Sequence, residues 1–181
     1  MWNLNLDAPF YSNWGNLRLD DMAAGLVLLQ GVPFHLLRGR AVFLYCQTPP
    51  EETRFVRSFQ LTLPEPQPVA KIHILGMVAP HIDPQNRPTA ALFLRHWDGA
   101  EQRVELYAES LSCDGNRRDL PLSYTTTRVW ANRDACCHMA TISADSAAPL
   151  TEIEIADENP IESLLIMGIT VEVINAEGEE I

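Results

Sequence analysis

The feature that most constrains this chain is a two-residue alternation of apolar and polar side chains, interrupted at short intervals by proline. Lys71-Ile72-His73-Ile74, Arg103-Val104-Glu105-Leu106-Tyr107 and Thr151-Glu152-Ile153-Glu154-Ile155 all alternate in this way. Successive side chains on a strand point to opposite faces, so the pattern describes strands with one face buried and one wet. Ala41-Val42-Phe43-Leu44-Tyr45 and Ala90-Ala91-Leu92-Phe93-Leu94 are more continuously apolar, as strands in the middle of a packed sheet are. Trp97-Asp98-Gly99-Ala100, between two such segments, reads as a hairpin turn, because Asp-Gly readily takes the positive φ values of a tight turn.

The 13 prolines gather between these segments, at Pro49-Pro50, in Pro64-Glu65-Pro66-Gln67-Pro68, and at Pro80, Pro84 and Pro88. There they would remove no ladder hydrogen bond from a central strand. Together the signals predict an all-β fold, a two-sheet antiparallel β-sandwich of about nine to eleven strands with turns at sandwich spacing. At most one short helix is expected, near 17–29. No linker divides the chain, so residues 1–181 are read as a single β-sandwich domain.

With 181 residues, 46% of them hydrophobic, the chain can bury roughly 70% of its extended surface and so needs no metal or disulfide as a staple. Its longest apolar runs, such as Leu26-Val27-Leu28-Leu29 and Leu164-Leu165-Ile166-Met167, fall far short of the roughly 20 residues of a membrane-spanning helix, so no membrane insertion is expected. The net charge of −11 is unevenly placed: all 13 basic residues lie in 1–133, whereas 134–181 carries 11 acidic residues and no Lys or Arg. An acidic segment with no basic stripe to offset it repels phosphate, which argues against nucleic acid and anionic membrane as partners. A solvated acidic face is the simplest expectation for it, and a cation site built from some of its carboxylates is the alternative.

Cys46, Cys113, Cys136 and Cys137 contain no Cys-x-x-Cys pair, so a structural zinc site is not expected and ordinary free thiols are. Cys136 and Cys137 are neighbours, and on a strand at most one of them is expected to face the core. Met1-Trp2-Asn3-Leu4-Asn5-Leu6-Asp7 shows no secretory signal. The compartment stays open: extracellular or periplasmic for part of a secreted protein, cytoplasmic if Met1 is the natural start.

No familiar catalytic constellation is present: the sequence has no Gly-x-Ser-x-Gly elbow, Gly-rich phosphate loop, dinucleotide fingerprint or His-Glu-x-x-His. His35, His73, His81, His96 and His138 each stand alone in their segments, and His35 and His73 lie in apolar strands, where a hydrogen-bonded structural role is expected. No catalytic residue is assigned. The tryptophans say more. Trp2, Trp14, Trp97 and Trp130 fall at strand ends or in loops beside polar groups, with Asn13 before Trp14, Asp98 after Trp97, and Asn132 and Arg133 after Trp130. A sugar ring stacks its apolar face on indole while its hydroxyls bond to Asn, Asp or Arg, so the mixture suits a carbohydrate surface. Aromatics capping the ends of a sandwich core share this signature, and the hairpin already accounts for Asp98.

Several segments in order carry a family resemblance: Gly31-Val32-Pro33-Phe34; Leu63-Pro64 leading to Ala70-Lys71-Ile72-His73-Ile74-Leu75-Gly76; His96-Trp97-Asp98-Gly99; Leu150-Thr151-Glu152-Ile153-Glu154-Ile155; then Asn159-Pro160 and Met167-Gly168-Ile169-Thr170-Val171. Together they resemble the galactose-binding-like β-sandwich (jelly-roll) domains appended to bacterial glycoside hydrolases, over most of residues 30–172. The resemblance implies a non-catalytic accessory module that binds carbohydrate in loops at one end of the sandwich or on a concave sheet face. Trp97, Trp130, Asn132 and Arg133, with Trp14, are the ligand-binding residues expected on this reading. It also implies a structural calcium ion in some members, for which Asp7, Asp20 and Asp21 near the start and Asp157, Glu158 and Glu162 near the end are candidate ligands. The alternative is a protein-interaction or structural module whose partner is another protein domain; a jelly-roll polysaccharide lyase or hydrolase is a further one.

Overall fold

A computed structural model describes residues 2–4, 23–37, 41–44, 56–78, 87–111, 122–131, 136–145, 147–160 and 162–174. Numbered along the chain, the strands of the larger sheet run β1 (Trp2–Leu4), β12 (Leu164–Val173), β6 (Val69–Val78), β10 (Cys136–Ser143) and β9 (Tyr124–Ala131), with β4 (Val42–Leu44) also paired to β12. A four-stranded sheet has the order β5 (Ser58–Gln67), β11 (Leu150–Asp157), β7 (Ala90–His96) and β8 (Glu101–Leu106), and β2 (Gly25–Leu29) with β3 (Val32–Leu36) makes a separate hairpin. Every strand pair is antiparallel. The fold is an all-β, jelly-roll-like sandwich.

The alternation in the sequence explains how the layers stack. Ile72 and Ile74 of β6, Ala140 and Ile142 of β10, and Ile166, Ile169 and Val171 of β12 face Leu92 and Leu94 of β7, Val104 and Leu106 of β8, and Ile153 and Ile155 of β11 across the main core. The opposite parity of the larger sheet, Leu75, Met77, Cys137, Met139, Leu165 and Met167, forms a second apolar cluster with Val32, Phe34 and Leu36 of the hairpin. The hairpin is thus a third layer. Because both its faces are covered, β12 is buried without interruption from Leu164 to Val171, which accounts for its apolar sequence. Gly168 permits the close approach: a Cβ there would lie 2.8 Å from Phe34 Cδ1 and 3.2 Å from Leu36 Cδ2. Beside it, the Thr170 hydroxyl donates to the Pro33 carbonyl at 2.6 Å.

Several details differ from what the sequence predicts. Residues 25–29 are strand β2 rather than helix, because Val27 and Leu29 pack against the second cluster while Leu26 and Leu28, on the other parity, are 77% and 69% exposed. The remainder of 17–29 is irregular at 23–24 and otherwise outside the described residues. A single helical turn, α1 (Ala108–Leu111), lies elsewhere, tied to β9 through the Tyr124 hydroxyl, which meets the Tyr107 N–H at 3.0 Å and Ser110 Oγ at 2.8 Å. The strands number twelve among the described residues, two of them, β1 and β4, only three residues long. Pro64 and Pro66 fall within β5 rather than in a joint; β5 is an edge strand, and its pairing with β11 skips from Thr62 (opposite Glu152) to Gln67 (opposite Leu150), so neither proline interrupts a paired stretch.

Cys136 is disulfide-bonded rather than a free thiol, and Cys46 and Cys113 lie outside the described residues. Both adjacent cysteines are buried, since each face of the sheet is covered there. Cys137 keeps its thiol, and burial pushes it well above the usual range. The packing at Gly168 yields a test. Gly168→Ala should destabilise the protein by about 1–3 kcal/mol, because the added methyl has to displace a fully buried Phe34 ring; an unchanged urea midpoint would show that the hairpin is not seated against β12.

Candidate functional site

The β7–β8 turn and the β10–β11 connection meet at one end of the sandwich. His96 N donates to the Ala100 carbonyl at 2.9 Å and Gly99 N to the His96 carbonyl at 3.0 Å, closing the turn. Gly99 sits at φ 84°, and Asp98 Oδ1 accepts from Ala100 N at 3.0 Å, so the Asp-Gly pair does what the sequence predicts. The turn is then fastened to the neighbouring connection: Trp97 N donates to the Pro149 carbonyl at 2.8 Å, and the His96 ring donates from Nδ1 to the Ala148 carbonyl at 2.8 Å. Gln102 adds a two-way clamp, its Nε2 donating to the Ser143 carbonyl (3.1 Å) and Asp145 Oδ2 (3.0 Å) while its Oε1 accepts from Asp145 N (3.0 Å). Trp97 is left 73% exposed. Beside it runs a groove of about 380 Å³ lined by His96, Ala100, Glu101, Gln102, Asp145 and Ala147.

A second groove, of about 450 Å³, is lined by Lys71, Leu122, Ser123, Tyr124, Thr125, Thr141 and Ser143. Next to it a cross-strand network occupies the polar half of the outer sheet face. His73, 3% exposed, bonds Thr141 Oγ1 through Nδ1 and Glu172 Oε1 through Nε2, each at 3.0 Å, and Lys71 Nζ donates to Glu172 Oε2 at 3.1 Å. Strand register makes this network: Lys71 is opposite Ser143 and Glu172, and His73 is opposite Thr141 and Thr170. Burial pushes the Glu172 carboxyl up, but the bonds and charges of Lys71 and His73 outweigh it and hold the group below its usual range. Ser143 lines this groove and gives its carbonyl to Gln102 of the other, so the two grooves adjoin.

The outer face of the four-stranded sheet carries a charge ladder. The Arg95 guanidinium pairs with Glu152, with Glu154 at 2.6 Å and with Glu101 at 3.0 Å. Arg103 pairs with Glu105 and Glu158, both at 2.6 Å, and both guanidiniums stand 6.0 Å from the Phe93 ring centroid. The Tyr107 hydroxyl donates to Glu105 at 2.6 Å and is pushed up to about 12 by that carboxylate and by burial.

Of the residues expected to bind ligand, Trp97 is presented to solvent on the turn whose His96 and Ala100 line the groove, without lining it itself. Trp130 is half-buried on β9 opposite Cys137, packed against the cluster beneath the hairpin. Roughly 20 Å of β10 separates its level from that of Ser143, so the two indoles do not share a site. Trp14, Asn132 and Arg133 lie outside the described residues, as do Asp7, Asp20 and Asp21. The remaining calcium candidates serve the β11–β12 turn: Asp157 Oδ1 accepts from Asn159 N (2.9 Å), Glu162 Oε2 accepts from Thr89 Oγ1 (2.5 Å) and Asn159 Nδ2 (3.2 Å), and Glu158 pairs with Arg103. Among the described residues no group of three or more His, Cys, Asp or Glu is arranged to hold a metal.

Sequence reasoning did not anticipate Lys71, His96, Gln102, Thr141 or Asp145 as parts of a site. Each belongs to it through partners distant in sequence, so no local motif marks it. Compared with known proteins, the chain matches no family model and no curated protein sequence.

The buried network gives a second test. Since the Glu172 carboxyl is depressed in the folded state, the stability it contributes is present above its ordinary value of 4.5 and is lost as pH falls through the folded value. Glu172→Gln should therefore lower stability by about 1–3 kcal/mol at pH 7 and shrink the difference from the parent as the medium is acidified. Denaturant titrations at several pH values check it, and a difference constant with pH would rule out an ionised Glu172 in this role.

Proposed function

We propose that the protein is a non-catalytic carbohydrate-binding module of the galactose-binding-like kind, which holds its ligand at the end of the sandwich bearing Trp97. The observation that carries this reading is the Trp97 indole, 73% exposed on a turn that is pinned to the neighbouring connection and whose His96 and Ala100 line a polar groove. An apolar plate beside hydrogen-bonding groups is what a sugar ring requires. The adjoining groove, with the hydroxyls of Ser123, Thr125, Thr141 and Ser143 and the ammonium of Lys71, extends the polar surface past a single ring. The Cys136 disulfide suits an oxidising compartment, which supports the secreted setting such modules work in.

Isothermal titration of the full chain against plant and algal polysaccharides tests this. A ligand is expected in the panel, and Trp97→Ala should weaken its binding by about tenfold or more, as loss of a stacking aromatic does. Trp130→Ala should instead cost about 2 kcal/mol of stability and leave affinity unchanged, since that side chain packs beneath the hairpin. No binding above millimolar dissociation constants across the panel would overturn the proposal. A second reading, a protein-docking module, draws on Leu26 and Leu28, which project from the hairpin at 77% and 69% exposure. Concentration-dependent mass in light scattering, abolished by Leu26→Ser with Leu28→Ser, would favour it.

A further inference from the structure

Resting on that carbohydrate reading, we propose that the groove beside Trp97 selects sugars bearing an ammonium group, amino sugars, over neutral and acidic ones. Most of the hydrogen-bonding capacity around the groove is already used within the protein. Gln102, the neutral amide, has spent its donor on Ser143 and Asp145 and its acceptor on the Asp145 N–H. His96 donates from Nδ1 to Ala148, which leaves Nε2 as the lone-pair nitrogen; the residue is 5% exposed and Nε2 has no partner. Asp145 gives Oδ2 to Gln102 and keeps Oδ1, and Glu101 gives Oε2 to Arg95 and keeps Oε1. On the described lining residues, the side-chain atoms left facing the groove are the carboxylate oxygens Asp145 Oδ1 and Glu101 Oε1, which accept and cannot donate. The ligand has to bring the protons.

Charge points the same way. Arg95 is paired with the groove's Glu101 and serves Glu152 and Glu154 as well, so the cluster is net negative before Asp145 is added. A carboxylated or sulfated sugar meets repulsion there with no donor to offset it. A hydroxyl satisfies one acceptor without using the field. An ammonium group supplies three donors and a positive charge, and the exposed Trp97 face adds a cation–π contact that a neutral ring cannot make.

The experiment is titration calorimetry of the full chain, in mildly acidic low-salt buffer, with glucosamine, N-acetylglucosamine and galacturonate oligomers of equal length. The glucosamine oligomer should bind about fivefold to tenfold tighter than its acetylated counterpart, the galacturonate oligomer should bind weakest, and added salt should narrow the difference. Asp145→Asn and Glu101→Gln, each first shown to melt as the parent does, should bring the ratio toward one, while Trp97→Ala should weaken every ligand and the glucosamine oligomer most. If either carboxamide variant unfolds, the other carries the test, since Glu101 contributes nothing to the Gln102 clamp. Equal, Trp97-dependent binding of the glucosamine and acetylglucosamine oligomers would overturn the selectivity and leave the carbohydrate reading standing. Failure of every oligosaccharide, with a lysine-rich peptide bound in a Trp97-dependent way, would overturn both.

Discussion

Strand β12 lies between the sandwich core and the hairpin β2–β3, and its burial on both faces sets what its neighbours have to supply. A two-stranded hairpin has little stability alone. Here it is held by apolar area removed from water, worth roughly 25 cal/mol per Å², with Phe34 seated where Gly168 leaves room and Pro33 bonded by Thr170. The hairpin covers only part of the outer sheet face. Beyond it the same parity of β6, β10 and β12 switches from Leu75, Met139 and Met167 to Lys71, His73, Thr141 and Glu172, so the limit of the third layer is also where the polar network begins.

Charge is segregated along the sequence and mixed by the fold. Residues 134–181 hold no basic side chain, yet Glu152 and Glu154 of β11 meet Arg95, Glu158 meets Arg103, and Glu172 of β12 meets Lys71 and His73. The reason is topological: β11 and β12 are interior strands of their sheets, so their cross-strand neighbours come from earlier in the chain. What the sequence suggests is a solvated acidic face is in good part the acidic half of these cross-strand pairs.

The fold class is legible because period-two alternation states it directly; β6, β8 and β11 stand where Ile72-His73-Ile74, Val104-Glu105-Leu106 and Ile153-Glu154-Ile155 place them. The third layer is not legible, because Leu26-Val27-Leu28-Leu29 looks the same whether it coils into a helix or lies flat with alternate residues exposed, and only docking decides. Pro64 and Pro66 mislead for a similar reason: a proline's place depends on whether its strand has a neighbour at that position, which is set by pairing with β11. At the site, Trp97 and its Asp-Gly turn are local and readable. His96, Gln102 and Asp145 are not, since Gln102 and Asp145 become one unit only once the two loops meet.

On the proposed carbohydrate reading, the anchoring of the β7–β8 turn bears on how fast and how reproducibly it would recognise a ligand. Trp97 is exposed, but its backbone is not free: its own N–H is bonded to Pro149, its neighbour His96 is bonded to Ala100 and Ala148, and Asp98 holds Ala100. A ligand arriving there meets a plate whose backbone is already in position, so little conformational entropy is lost on contact beyond the indole's own two torsions. Such a platform tolerates variation in the ring laid upon it, and discrimination then falls to the fixed polar groups around its rim.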